Sequence, residues 1–503
     1  MSDYLHGAYG QIQAVGTRAA DESQGVIVLV GTAPVQQLQL GNGESYPVNV
    51  PVLVNDIAEA RKLLGYSKDW AKYSLCEAMH VFLEKNGIGP LVFINVLDPT
   101  KATHKVTTKV TASLTPVNGV ITITSAGDVI VDSIVVKTTG ETPATKVKGT
   151  DYGVAYNIEK EKITIAELTA GALGTAALSV EYYKVDPAGV VAADVVGTTD
   201  GLGANTGLYA VQDVYTKTGF IPSFLSAPGW SSLPTVHAAM YANSVKINGH
   251  WDAYMFVDLP LVDENSTQLT LGTARTWKAS NGYTKENETV FFPMAKGTDG
   301  ETYHLSVLAA ANFMQLLAEQ DGIPFKTASN TDCPIIENLY LGASFADRVY
   351  SDQIINENLN KYGIASAAFV GGRWAIWGCH SADYNPTDGD QINVAETNRM
   401  MLFYISNDFQ HRRTADVDKP MTANDMQTII AEEQTRLDAL LKIGALTYGE
   451  VHANATADAR SDMMQGDYSF VFNVTTTPLA KSLTAIVNWT DDGFVTYFES
   501  AGE

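Results

Sequence analysis

The chain has 503 residues, 45% of them hydrophobic and 18% charged, with a formal charge of -23. So acidic a chain is a poor partner for phosphate backbones, and its length predicts roughly three or four domains rather than one core. Mean hydropathy is -0.03 and no apolar run is long enough to span a bilayer, which argues against membrane insertion.

The opening stretch, 1–24, is polar and Gly/Ala-rich; its few bulky side chains, among them Tyr9, Ile12 and Val15, make no apolar face. It lacks a basic n-region and an apolar h-region, so no secretory signal is predicted. Val26 to Val30 is an apolar, β-branched run ended by Gly31, the pattern of a buried strand. Asn55 or Asp56 caps a helix carrying Ile57, Ala60, Leu63 and Leu64, stopped at Gly65. A second helix carries Leu75, Ala78, Met79 and Phe82 and ends at Gly87; Leu91 to Val96 is then a second buried strand. Strand, helices and strand predict an α/β unit.

From about Thr103 to Asp186 the sequence turns rich in Thr, Val and Lys. It alternates in short bursts such as Val120-Ile121-Thr122-Ile123 and Leu178-Ser179-Val180-Glu181-Tyr182. Turn residues separate the bursts, which predicts a small all-β domain inserted in a loop. Strand and helix alternate again beyond Ala188. Strands are expected at Phe224-Leu225, Ala253 to Val257, Val290 to Phe292 and Ala367 to Val370. Helices are expected at Ser266 to Ala279 and Tyr303 to Glu319. That alternation argues for a largely parallel sheet. A last section starts near Asp390. Its clearest helix places Met426, Ile429, Ile430, Leu437, Leu440 and Leu441 on one face and ends at Gly444. Glu432, Glu433, Arg436 and Asp438 are assigned to the opposite face. The chain closes on Phe494-Val495-Thr496-Tyr497-Phe498, an alternating strand pattern after Asp492-Gly493.

The residue types that carry chemistry fall short of it here. Asp200 to Gly207 is glycine-rich but misses the dinucleotide spacing and has no P-loop lysine. Asp383, Asn385, Asp388 and Asp390 resemble a calcium loop, yet Asp388 stands where glycine is needed and Val394 where the bidentate Glu is needed. The nine histidines form no HxxxH or HExxH pair. His237 and His304 fall on apparent helices and read as packed or solvated. Cys76, Cys333 and Cys379 are far apart and read as reduced, cytosolic thiols. Gly342-Ala343-Ser344-Phe345-Ala346 resembles the surroundings of the subtilisin nucleophile, and Asp258 could serve as a triad acid. The His-Gly-Thr motif that would supply the base is absent, so no catalytic residue, cofactor or metal site is predicted.

Taken in order, several short motifs resemble the tail sheath proteins of contractile phage tails and related injection machines. They are His6-Gly7-Ala8-Tyr9, then Val26 to Ala33, Pro51-Val52-Leu53-Val54, Leu63-Leu64-Gly65 and Asn86-Gly87 before Leu91 to Val96. Further on come Thr206-Gly207-Leu208, Ala227-Pro228-Gly229, Gly444-Ala445-Leu446, Gly466 and Pro478. The resemblance covers most of the chain except the β insert. Two positions depart from it: His6 where proline is usual, and Asn95 near a place often held by arginine.

The resemblance implies an α/β multidomain protein. A subtilisin-like central domain without protease chemistry would span 188–389, and a conserved α+β domain would be built from 25–102 and 390–490. The inserted β domain would be 103–187, and 1–24 and 491–503 would be extended arms. It implies that the arms add strands to a small sheet of neighbouring subunits, through Tyr9, Ile12, Val15 and Phe494 to Phe498. The helix carrying Glu432, Glu433, Arg436 and Asp438 would face the tail tube. Implied partners are further copies of the chain in a helical sheath, the tail tube protein, and baseplate and tail terminator proteins, with no nucleic acid and no membrane insertion. The implied place is the virion tail, after synthesis in the bacterial cytoplasm, and the implied act is contraction that drives the tube through the host envelope. An acidic serine hydrolase is the alternative; within the sheath class, a headless bacteriocin or other injection system is the other.

Overall fold

The computed structural model describes residues 25–41, 43–343, 348–387, 392–491 and 494, without the side chains of 457–459. Tyr9, Ile12, Val15, Ser344, Asp388, Asp390, Val495, Thr496, Tyr497 and Phe498 lie outside the described residues. Compact packing divides the chain after Met421, later than the shift expected near Asp390.

The first unit is organised by an eight-stranded sheet. Its strands are β1 (Gly25–Gly31), β2 (Pro51–Val54), β3 (Leu91–Asn95), β4 (Ile221–Ser226), β5 (Tyr254–Asp258), β6 (Glu288–Phe291), β7 (Ile364–Val370) and β8 (Arg373–Trp377). The spatial order is β8-β7-β6-β5-β4-β1-β3-β2. From β7 to β3 every pairing is parallel, and β8 and β2 close the edges antiparallel. A parallel strand is covered on both faces, so its sequence is apolar throughout. Ile27 to Val30 and Leu91 to Ile94 are accordingly 0% exposed.

Helix α1 (Ile57–Leu64) begins where the Asp56 carboxylate accepts the Glu59 N–H at 2.8 Å. It stops at Gly65, whose φ of 74° and close approach to the Pro34 carbonyl leave no room for a Cβ. Helix α2 (Ser74–Ala78) continues as a π-helical stretch, Met79–Lys85. Helices α3 (Pro234–Ala242), α4 (Leu271–Ser280) and α5 (Leu305–Glu319) cross between the later strands. Helix α4 starts later than the apolar spacing predicts. Asp263 accepts the N–H groups of Asn265 and Thr267 at 2.9 and 2.7 Å, and this turn competes with helix until Thr270 caps it. His304 stands just before α5 as its N-cap rather than within it. Helix α6 (Glu396–Arg413) belongs to the first unit, because buried Glu396 accepts from Thr289 of β6 and from Thr327, both at 2.6 Å.

The inserted segment folds into two three-stranded antiparallel sheets. One joins Val110–Leu114, Leu178–Tyr182 and Val135–Thr138; the other joins Val120–Ile123, Lys162–Glu167 and Tyr152–Asn157. Their inward residues, including Ile121, Ile163, Ile165, Val136 and Val180, form an apolar cluster separate from the main core.

The second unit holds a long helix and two paired strands with a shorter helix, Ala457–Gln465, between them. Helix α7 (Ala423–Lys442) opens on a capping box in which Thr422 accepts the Asp425 N–H at 3.2 Å and gives its own N–H to Asp425 at 2.8 Å. The hairpin pairs β9 (Leu446–Ala453) with β10 (Phe470–Thr476).

Candidate functional site

In a parallel α/β sheet, ligands bind at the carboxyl ends of the strands where the strand order reverses. Here that point lies between β1 and β4, because the chain winds from β1 toward β3 and from β4 toward β7. Polar side chains bonded to one another occupy it. After β1, Thr32 and Ser74 exchange bonds: Ser74 N–H to the Thr32 hydroxyl at 3.0 Å and Thr32 N–H to the Ser74 hydroxyl at 3.3 Å. After β5, Asp258 accepts the Ser306 N–H at 3.0 Å and the Ser306 hydroxyl, while its own N–H donates to Ser231 at 3.1 Å. Glu77 accepts the His304 N–H at 2.6 Å and the imidazole Nδ1–H at 2.7 Å.

The electrostatics follow from burial. Burial lifts the Asp258 carboxyl above its usual range, against the pull of nearby His304. Burial lowers the His304 imidazole, but the Glu77 carboxylate outweighs it and the pKa stands at about 9. His304 is therefore a cation held by carboxylates, and it holds no free base for a serine. His237 is no better placed: it bonds Glu288 at 2.5 Å and stacks on Tyr283 with centroids 3.9 Å apart. Asp258, the one triad acid the sequence offered, serves Ser306 and points at no histidine by a hydrogen bond. Cys76 and Cys333 are buried, and desolvation pushes both thiols up to about 12. The Asp200 loop is an ordinary turn in which the carboxylate accepts the N–H groups of Leu202 and Ala204, each at 2.8 Å. Among the described residues no group of His, Cys, Asp and Glu is arranged to hold a metal ion.

The second unit carries its own exposed features. Glu432, Arg436 and Asp438 are on the exposed face of α7, as expected. Glu433 is not: it is 1% exposed and shares the buried face with Ile429, Leu437 and Leu440. It stands four residues from both Ile429 and Leu437, so helical spacing rather than charge fixed its side. Gln434 ties helix to hairpin, giving its amide N–H to the Gly449 carbonyl and accepting the Val451 N–H, both at 3.1 Å. A Cβ at Gly449 would lie 3.2 Å from that of Leu437, so a larger residue there would push the helix away by a few tenths of an ångström. Beyond the hairpin, 477–490 carries no regular secondary structure. In it Leu483, Ile486, Val487 and Trp489 are each more than 80% exposed, and Phe494 is 55% exposed. Only Phe494 of these was singled out from the sequence.

Comparison with known proteins gives the class first. Over 98% of both chains, the fold matches a chain of the PVC extracellular contractile injection system sheath complex in its contracted state, at a TM-score of 0.53 and 10% identity. It also matches a chain from the anti-feeding prophage baseplate, at a TM-score of 0.54 and 13% identity, over 98% of this chain and all of that one. The protein thus has the mixed α/β fold found in contractile injection machines. In sequence it is a homologue of the tail sheath protein of Burkholderia phage BcepMu, 26% identical over 267 residues. The matched stretch is 52% of this chain and 50% of that relative, so the chain spans about half the length of the curated relative it matches. No family model matches the chain.

Proposed function

We propose that this chain is the structural subunit of a contractile tail sheath, which polymerises around a tail tube and contracts to drive the tube through a host envelope. The observation that carries the reading is the relation to a phage tail sheath protein joined to a fold that matches contractile-machine chains end to end. The polar network at the strand ends supports it, because the crevice that an α/β enzyme keeps for substrate is here filled by its own side chains. The central domain is then a subtilisin-like frame without protease chemistry.

Assembly is assigned to the second unit and the chain ends. The apolar side chains from Leu483 to Trp489 are more than 80% exposed, and further copies of this chain are their proposed partners. The arms, with Tyr9, Ile12, Val15 and Phe494 to Phe498, add strands to a neighbour's β9–β10 sheet. Gln434 occupies backbone groups of β9 at Gly449 and Val451, so an added strand does not pair there. Glu432, Arg436 and Asp438 face the tube protein, and baseplate and terminator proteins bound the polymer. The place of action is the virion tail, or the corresponding part of a headless injection machine. Negative-stain microscopy of the purified protein tests the reading: tubes or rings are expected, and monodisperse particles at every concentration and salt would overturn it.

A further inference from the structure

Leu202 is 96% exposed, more than any other large apolar side chain among the described residues. The loop that carries it, 198–206, is held from within. Its two arms are bonded together, Thr206 N–H to the Thr198 carbonyl and Thr198 N–H to the Thr206 hydroxyl, both at 2.9 Å. Nearer the tip, Asp200 N–H donates to the Ala204 carbonyl at 3.0 Å, and the Asn205 side-chain amide donates to Asp213 at 2.9 Å. The loop therefore presents its leucine in a set position, and a side chain ordered beforehand loses less entropy on contact.

The loop stands at the carboxyl end of the parallel strands. Gly207 N–H donates to the Asn49 side chain at 2.9 Å, and Asn49 N–H donates to the carbonyl of Asn95, the last residue of β3, at 2.7 Å. At the amino end of the same sheet an apolar pocket of about 60 Å³ opens. Pro90 and Phe220 in its wall immediately precede β3 and β4, which both run parallel to β1. Met314 and Leu317 of α5 are less than a tenth exposed, Ile88 is half-buried, and Ala318 beside them is exposed. The lining holds no charged side chain, in a chain of formal charge -23. Seating a leucine there therefore strips water from no charge in the pocket.

We propose that Leu202 of one copy seats in this pocket of the next, a head-to-tail contact between first units. The inference rests on the polymerising reading and names one joint of the polymer. Knob and pocket do not meet within a chain: β1 alone has seven residues, roughly 20 Å at about 3.3 Å per residue, and the two lie beyond opposite ends of such strands. A contact between two different patches is heterologous. Each copy then offers a knob to one neighbour and a pocket to another, and the contact extends into a ring or a helical filament.

The test is cross-linking between copies. Gly201→Cys keeps the leucine and has open space around it, and Ala318→Cys marks the pocket. Each is made alone in a Cys379→Ser background; Cys76 and Cys333 are buried. A short bis-maleimide should join the two variants into a covalent dimer when they are mixed, and neither variant to itself. Adding Leu202→Asp to the Gly201→Cys chain should abolish that dimer and leave the melting temperature unchanged. Tubes without the mixed dimer overturn the contact and leave the sheath reading standing, whereas wild-type protein that stays monodisperse overturns both. A dimer of Gly201→Cys with itself, or one that survives Leu202→Asp, also overturns the contact. So does a drop in melting temperature with Leu202→Asp, which would place the leucine in its own chain's packing. A link within one chain from Ile12→Cys to Ala318→Cys would give the pocket to the chain's own leading segment and overturn it as well.

Discussion

Glu77 accepts two hydrogen bonds from His304, one from its backbone N–H at 2.6 Å and one from its imidazole at 2.7 Å, across 227 residues of chain. The pair joins α2, which leads into β3, to the N-terminus of α5, which follows β6, so it crosses the reversal point of the sheet. A half-satisfied buried network costs more than an apolar one, and this one is satisfied on both sides. It spends the crevice on cohesion.

The first prediction is a pH dependence. The folded pKa of His304 is raised from 6.5 to about 9. A base raised on folding contributes stability that is fully present below its unfolded pKa and is lost as pH rises through the folded one. Stability from this group should therefore fall between pH 6.5 and about 9. Lys278 works in the opposite sense. Burial pulls its folded pKa from 10.5 down to about 8, so stability is gained as pH rises through that interval. Denaturant midpoints of wild type and His304→Gln, compared across pH, separate the two: the difference between them should shrink toward high pH. A constant difference would mean that folding does not raise the pKa of the imidazole. Glu77→Gln should cost about 3 kcal/mol near neutral pH, the usual scale for a buried pair that loses one partner.

Much of the fold was legible because parallel strands write their burial into sequence. β1, β3, β4, β5, β6 and β7 are short apolar runs bounded by turns, and each fell where expected within a few residues. The caps at Asp56 and Gly65 were legible for the same local reason. What stayed hidden is non-local. Nothing in the sequence joins Glu77 to His304, and nothing shows that Asn95 closes the turn after β1, accepting the Ala33 N–H at 2.9 Å. Glu433 was misplaced because charge was weighed over spacing. Leu483, Ile486 and Val487 stand at i, i+3 and i+4, yet the structure forms no helix there and leaves them, with Trp489, exposed, which the sequence pattern does not show.

The absence of hydrolase chemistry is the second prediction. Asp258 is committed to Ser306, His304 to Glu77 and His237 to Glu288. These are the acid and the two histidines that the sequence singled out. A serine-reactive fluorophosphonate should leave the protein unlabelled, and Ser344→Ala should change nothing. Labelling that disappears in Ser344→Ala would restore the enzyme reading.

A third expectation concerns the insert. Replacing 106–184 by a short Gly/Ser linker removes the partners of the Gln36 amide, the Tyr73 hydroxyl and the Leu40 N–H. Groups that regain water lose about 1 kcal/mol each, so a cost of about 3 kcal/mol is expected with the α/β domain still folded. Circular dichroism and a melting curve check it. An insoluble product would mean that the main core needs Ile130 and Ile158; an unchanged melting temperature would mean that these bonds contribute nothing.

The last prediction separates folding from assembly. Leu483, Ile486, Val487 and Trp489 are more than 80% exposed, so they add little to the stability of the chain that carries them. Surface substitutions of this kind are usually within about 0.5 kcal/mol of wild type. Buried against a second copy, each would return about 1.5–3 kcal/mol at full burial, and a polymer repeats that gain at every subunit. Replacing the four by serine should therefore leave the melting temperature where it was and abolish polymers. Truncation after Thr477 should do the same, because it keeps the bond from Thr477 to the Gly444 carbonyl at 2.6 Å that closes the hairpin. Analytical ultracentrifugation beside the melting curve reads both quantities. Full-length tubes from the serine variant would show that the exposed row is not the joint between subunits, and a large drop in melting temperature would show that it packs within its own chain.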